Sequence, residues 1–126
     1  MIVHTGRLKE IAEVEFNDVV EDAIVVDINE IRIVLNDGSF IDVWYSLKLK
    51  DRYSYHWERK LIDDSIYRHD NAPHKKWENV STFTKQFHNG SEEAVISSNI
   101  PDNPEDALKE ILTFVSGHIK KNLPKK

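Results

Sequence analysis

The chain of 126 residues contains no cysteine. Thiolate zinc sites, thiol nucleophiles and disulfides are therefore excluded. Glycine is scarce, with four residues and no cluster among them, so there is no Gly-rich phosphate cradle, and nicotinamide and nucleoside-triphosphate chemistry drop out. No G-x-S-x-G segment occurs, which removes the strained serine elbow of the hydrolases. Long apolar runs are missing as well, and nothing approaches the roughly 18–20 residues needed to span a bilayer. The opening segment "MIVHTGRLKEIAEVEF" lacks an apolar block followed by a small-residue cleavage site. No signal peptide is expected, and the chain is expected in the cytoplasm.

What remains is the material of one domain over residues 1–126, large enough to bury a core without metal or disulfide support. The tail 122–126 is polar and expected to fray. The net charge is −5, which argues against a general nucleic-acid binder, but the charge is unevenly spread. Residues 1–45 carry three basic and ten acidic side chains, whereas residues 46–90 carry nine basic and six acidic ones. The middle third also holds four of the six histidines, His56, His69, His74 and His88. A local positive field matters more to an anionic ligand than the total does. Chance fluctuation along a short chain is the competing explanation.

The patterning predicts an α+β domain, with a mainly antiparallel sheet of about five strands and N- and C-terminal helices packed on one face. A first helix is expected from Thr5, acting as its cap, to Glu13 or Glu15, with Leu8, Ile11 and Ala12 on one side. "DAIVVDI" reads as a buried strand. In "EIRIVLNDGSFIDVWYS", Ile31, Ile33 and Leu35 alternate with polar residues, Asn36 to Ser39 supply turn residues, and Ile41, Val43 and Tyr45 alternate beyond them. That is a β-hairpin. "RYSYHWER" alternates Tyr53, Tyr55 and Trp57 against Ser54, His56 and Glu58. With a turn centred near Ile62, His56 lies opposite Arg68 on the next strand. Asp70 to Pro73 end that strand. A long loop is expected from His74 to Gly90, with a short strand around "STFTKQF" and another at "EEAVISS". The last helix starts with Asn103 as cap and Pro104 at its first position, and buries Leu108, Ile111, Leu112, Val115 and Ile119.

The candidate chemistry gathers around "YRHDNAPHKKW". Metal-free RNA cleavage needs a base for the ribose 2′-hydroxyl, an acid for the leaving oxygen, and a cation for the phosphate. Histidine suits the proton roles and arginine the phosphate. His56, Arg68 and His74 are the candidate catalytic residues. Tyr55, Asp70, Asn71, Lys75, Lys76 and His88 are candidate substrate-binding residues, the lysines guiding the strand and an aromatic ring stacking on unpaired bases. Each also has a plain structural role open to it. Arg68 can be consumed by Glu58 or Asp70, Asp70 and Asn71 can serve only the turn, and Tyr53, Tyr55 and Trp57 can form core. His69, Asp70, His74 and His88 are metal-ligand types, but their spacing follows no strong metal pattern. No metal or cofactor is assigned.

The segment from "RYSYHWER" through "YRHDNAPH" resembles the TumE-like family, the toxin halves of toxin–antitoxin pairs. Tyr55-His56 matches the family's Tyr-His strand, and Tyr67-Arg68 with Asp70-Asn71-Ala72-Pro73-His74 matches its second element. Thr82-Phe83 and His88 match a third, "PEDALKEIL" an acidic helix near the C-terminus, and "LNDGSFIDV" its hairpin. The resemblance spans about residues 30 to 115. His69 stands where the family tends to carry an aromatic residue, and "KQFHNG" is poorer in histidine than the family pattern, which weakens any metal carry-over and leaves the role of His88 open. The resemblance implies a small cytosolic toxin of a type II pair, controlled by an antitoxin that is often a helix-turn-helix DNA-binding protein. Ribonuclease activity is the expectation from the residues. A non-catalytic module holding RNA or a protein within a regulatory complex is the alternative, and a homodimer stays open.

Overall fold

The computed structural model describes residues 3–121; the expected fraying of 122–126 lies outside the described residues. Seven strands form one antiparallel meander in sequence order. They are β1 (Val20–Asp27), β2 (Glu30–Leu35), β3 (Phe40–Tyr45), β4 (Tyr53–Arg59), β5 (Ser65–Asp70), β6 (Gln86–Gly90) and β7 (Val95–Ser97). Helix α1 (Thr5–Glu10) runs into a π-helical turn (Ile11–Glu15) before the sheet, α2 (Lys60–Asp63) is a single turn between β4 and β5, and α3 (Pro104–Lys121) closes the chain.

The hairpin of β2 and β3 forms where its alternation demands. Ile31, Ile33, Leu35, Ile41 and Val43 are buried, and Gly38 supplies the positive φ of +90° that the turn needs. Asp37 Oδ1 accepts the Ser39 amide at 2.9 Å and closes that turn. Strand β4 alternates strictly, Tyr53, Tyr55 and Trp57 buried against half-exposed Ser54, His56 and Glu58. Trp57 meets Phe114 and His118 of α3 edge-on, so one sheet face carries the helices and the core while the other stays open. Asn103 Oδ1 accepts the Glu105 and Asp106 amides at 3.0 and 3.1 Å and caps α3. All five apolar residues expected in its stripe are buried.

Three expectations need correction. Thr5 is the first residue of α1 and His4 its cap, without a side-chain cap bond. The run "DAIVVDI" forms an edge strand: Val20 and Ala23 are buried, but Ile24, Val25 and Val26 are 43–54 % exposed. α1 and the π turn lie against β1, and Lys9 Nζ donates to the Ala23 carbonyl at 2.5 Å. An apolar run reports β-propensity, not which helix will cover it. The sheet also has seven strands where about five were expected. Residues 81–84 form turns, and β6 begins only at Gln86. β6 escapes a periodicity reading because its open face carries Gln86 and His88 rather than apolar residues.

Candidate functional site

On the open face the registers of three neighbouring strands bring one row together. His56 of β4 pairs with Arg68 of β5, and Arg68 pairs with His88 of β6. The alternation of β4 and the turn at α2, where Asp64 takes φ +60°, fix the first pairing as the sequence anticipates. Neighbouring strands lie close enough for such a row to make direct side-chain contact. A groove of about 550 Å³ opens beside Arg68 and His88 of this row, lined by Arg68, Asp70, His74, Lys76 and His88, with Trp44, Arg52, Trp77 and Gln86 around them; His56 borders it through Arg68 and is not part of its lining.

Arg68 is the hub. Its Nε donates to Asp70 Oδ2 at 3.0 Å, and its two Nη atoms donate to Glu92 at 2.8 and 2.6 Å. Nη1 also lies 3.4 Å from His56 Nδ1, and Nη2 3.3 Å from His88 Nε2. A guanidinium only donates, so His56 Nδ1 accepts, and the network assigns the His56 tautomer. Its proton lies on Nε2, 3.3 Å from Glu58 Oε1. His88 Nδ1 donates to the Glu92 carbonyl at 2.8 Å, and its Nε2 lies 3.3 Å from both Arg68 Nη2 and Asp70 Oδ2. His56 therefore turns a basic nitrogen toward Arg68 with a carboxylate behind it.

Asp70 holds the floor. It is 7 % exposed. Its Oδ1 accepts Gln86 Nε2 at 2.6 Å and the Ala72 amide at 3.2 Å. Gln86 Nε2 also donates to the Ala72 carbonyl at 2.9 Å. Burial alone would push the Asp70 carboxyl upward, but hydrogen bonds from His88, Arg68 and the Ala72 amide outweigh it, and the group stays ionised below the usual carboxylate range. Burial likewise opposes ionisation of Glu58, and the Lys60 amide with His56 prevails to hold it low. The Arg68 guanidinium lowers Glu92.

The structure brings His56, Arg68, Asp70 and His88 into contact, and His74 and Lys76 line the same groove. His74 is exposed and its Nδ1 accepts the Lys76 amide at 3.3 Å; Lys76 pairs with Glu93 at 2.6 Å and lies over the Trp77 ring. Lys75 is exposed on the 3-10 turn Lys75–Trp77. Two candidates fall elsewhere. Tyr55 is 2 % exposed and points to the helix-covered face, its hydroxyl bonded to that of Tyr45. Two-residue alternation along β4 forbids it from sharing the side of His56. Asn71 spends its amide on the backbone, accepting the Tyr53 amide at 2.9 Å and donating to the Asp51 carbonyl at 2.7 Å.

His69 also stands apart from the other ligand types, Asp70, His74 and His88. It stacks on Phe87 at 4.2 Å on the helix side and bonds Ser98 Oγ at 2.7 Å. Among the described residues, no three imidazole or carboxylate groups are arranged to hold a metal. Sequence reasoning missed Trp44, Trp77, Gln86, Glu92 and Glu93, and saw Glu58 only as a neighbour of Arg68. Gln86 was findable by extending the pairing one strand further; Glu92 and Glu93 sit in the turn "GSEEA", which carries no local signal of chemistry.

No helix among the described residues is long and apolar enough to cross a membrane. No individually characterised protein and no solved structure matched the chain. The family model described as Toxin TumE matches residues 6–119, nearly the whole chain and with it every residue of the groove. The chain thus belongs to the TumE toxin family.

Proposed function

We propose that this toxin acts by cleaving RNA without a metal, and that a partner antitoxin, of the helix-turn-helix DNA-binding kind, restrains it. His56 Nδ1 takes the proton of a ribose 2′-hydroxyl. The 2′-oxygen attacks phosphorus, and Arg68 stabilises charge on the phosphoryl oxygens. The P–O5′ bond breaks, and His74 gives a proton from Nε2 to the departing oxygen. The products are a 2′,3′-cyclic phosphate and a 5′-hydroxyl. Asp70, Lys76 and His88 shape and charge the groove, and Trp44 and Trp77 offer rings to unpaired bases.

The observation that carries this reading is the row His56–Arg68–His88 across three strands, backed by Glu58 behind His56. A base with a carboxylate behind it and a cation beside it is what the reaction needs. Expression of the chain alone should arrest growth, and purified protein should cut labelled single-stranded RNA. His56→Ala and Arg68→Ala should each lower cleavage by about 100-fold or more. Folded variants that cut and arrest growth as the parent does would end the assignment. Retention of RNA without cleavage would instead favour a binding module.

A further inference from the structure

Arg68 faces two carboxylates of opposite character. Asp70 is buried and pinned by Gln86 and the Ala72 amide. The side chain of Glu92 is 57 % exposed and sits on the turn between β6 and β7. Its two oxygens take one hydrogen bond each from the two Nη atoms of Arg68. This is the fork geometry in which carboxylate and phosphate are interchangeable. The next residue, Glu93, pairs with Lys76 across the groove through a single contact at 2.6 Å. Two consecutive acids thus occupy Arg68 and Lys76, two of the three cationic side chains that line this pocket, Arg52 being the third.

The turn that carries them is short and braced. Gly90 enters it at φ +96°, the Asn89 amide donates to the Ala94 carbonyl at 2.8 Å, and His88 Nδ1 donates to the Glu92 carbonyl at 2.8 Å. The backbone is therefore held at the groove while the two carboxylates reach over it. The Glu92 and Glu93 side chains are 57 % and 72 % exposed, so both carboxylates can swing into water and leave their places to a strand of phosphates.

We propose that Glu92 and Glu93 form an acidic clasp that fills the phosphate seats of the groove, and that a polyanionic RNA strand enters by displacing it. The proposal rests on the reading of the groove as a phosphodiester site. The clasp rejects monoanions and lone carboxylates, which gain no more from Arg68 than Glu92 does, and admits ligands that engage both cations at once.

The test compares the parent, Glu92→Gln, Glu93→Gln, the double glutamine variant and Arg68→Ala. Each is titrated against a fluorescent single-stranded oligoribonucleotide by anisotropy at several salt concentrations, after thermal melts confirm folding. The double variant should bind about tenfold more tightly or better. Its slope of log affinity against log salt should steepen by about 0.7 for each freed phosphate contact. Glu93→Gln, which leaves the Arg68 fork untouched, should give an intermediate gain. Parent-like affinity and slope in the glutamine variants, with binding still lost in Arg68→Ala, would overturn the clasp and leave the groove reading intact. Binding by none of the five proteins at low salt would overturn both.

Discussion

Glu58 Oε1 lies 3.3 Å from His56 Nε2, and the other nitrogen of the same ring lies 3.4 Å from Arg68. The carboxylate thereby chooses which imidazole nitrogen faces Arg68 as the acceptor. Glu58 is itself anchored, its second oxygen accepting the Lys60 amide at 2.8 Å. A glutamate two residues along a strand from a histidine shares its face, so the pair is a local product of β4 that needs no long-range help.

Glu58→Gln tests that arrangement. The amide keeps the size but can present its NH₂ to Nε2 and reverse the tautomer. Cleavage turnover should fall by about 10- to 1,000-fold, while the affinity for uncleaved RNA stays within about twofold. Glu58→Asp should recover part of the loss. Equal losses in turnover and affinity would mean that Glu58 only holds the strand together.

His69 should give the fold an acid-sensitive step. Burial between Phe87 and the helix side, aided by Lys85, lowers its imidazole to about 4, against an unfolded value near 6.5. Between those values the unfolded chain binds the extra proton. The contribution of neutral His69 is therefore complete above pH 6.5 and is lost as the pH falls from there toward 4. Urea unfolding should show a loss of about 1–2 kcal/mol between pH 7 and pH 5. His69→Phe, which keeps the stack on Phe87, should flatten that interval. An unchanged slope in the variant would assign the acid sensitivity elsewhere.

Arg59 braces the far end of β4. It is 4 % exposed, pairs with Asp37 at 2.6 Å and with Asp63 at 3.1 Å, and lies over the Trp57 ring. It links the β2–β3 turn to α2. Arg59→Ala leaves Asp37 without its cation and uncovers Trp57, and should cost about 2–4 kcal/mol. Arg59→Met with Asp37→Asn should recover more than half of that. Denaturant midpoints of the parent and the two variants give the comparison, and a double variant no more stable than Arg59→Ala would rule out the coupling.

Much of this was legible because it is local. Asn36 to Ser39 declare their turn, alternation sorts β4 into two faces, and counting through "KLIDD" sets His56 against Arg68. Asn103 and Pro104 announce α3 in the same way. Alternation says which residues share a face, not which face the helices will cover. For that reason Tyr55 could be taken for a substrate contact when it is core. The exposure of Ile24 to Val26 depends on how far α1 reaches, which no window of β1 contains. Glu92 and Glu93 become part of the site only after β6 and β7 have paired and carried their turn back over Arg68.

The division of the sheet into a covered side and an open side has a further consequence. Neighbouring positions on β4, Tyr55 and His56, answer to different demands: one to cohesion with the helices, the other to ligand and solvent. Changes in the apolar surface of α3 can drift without touching the reactive groups, and the open side can be rewritten without loosening the core. A single layer of backbone insulates selection on stability from selection on toxicity.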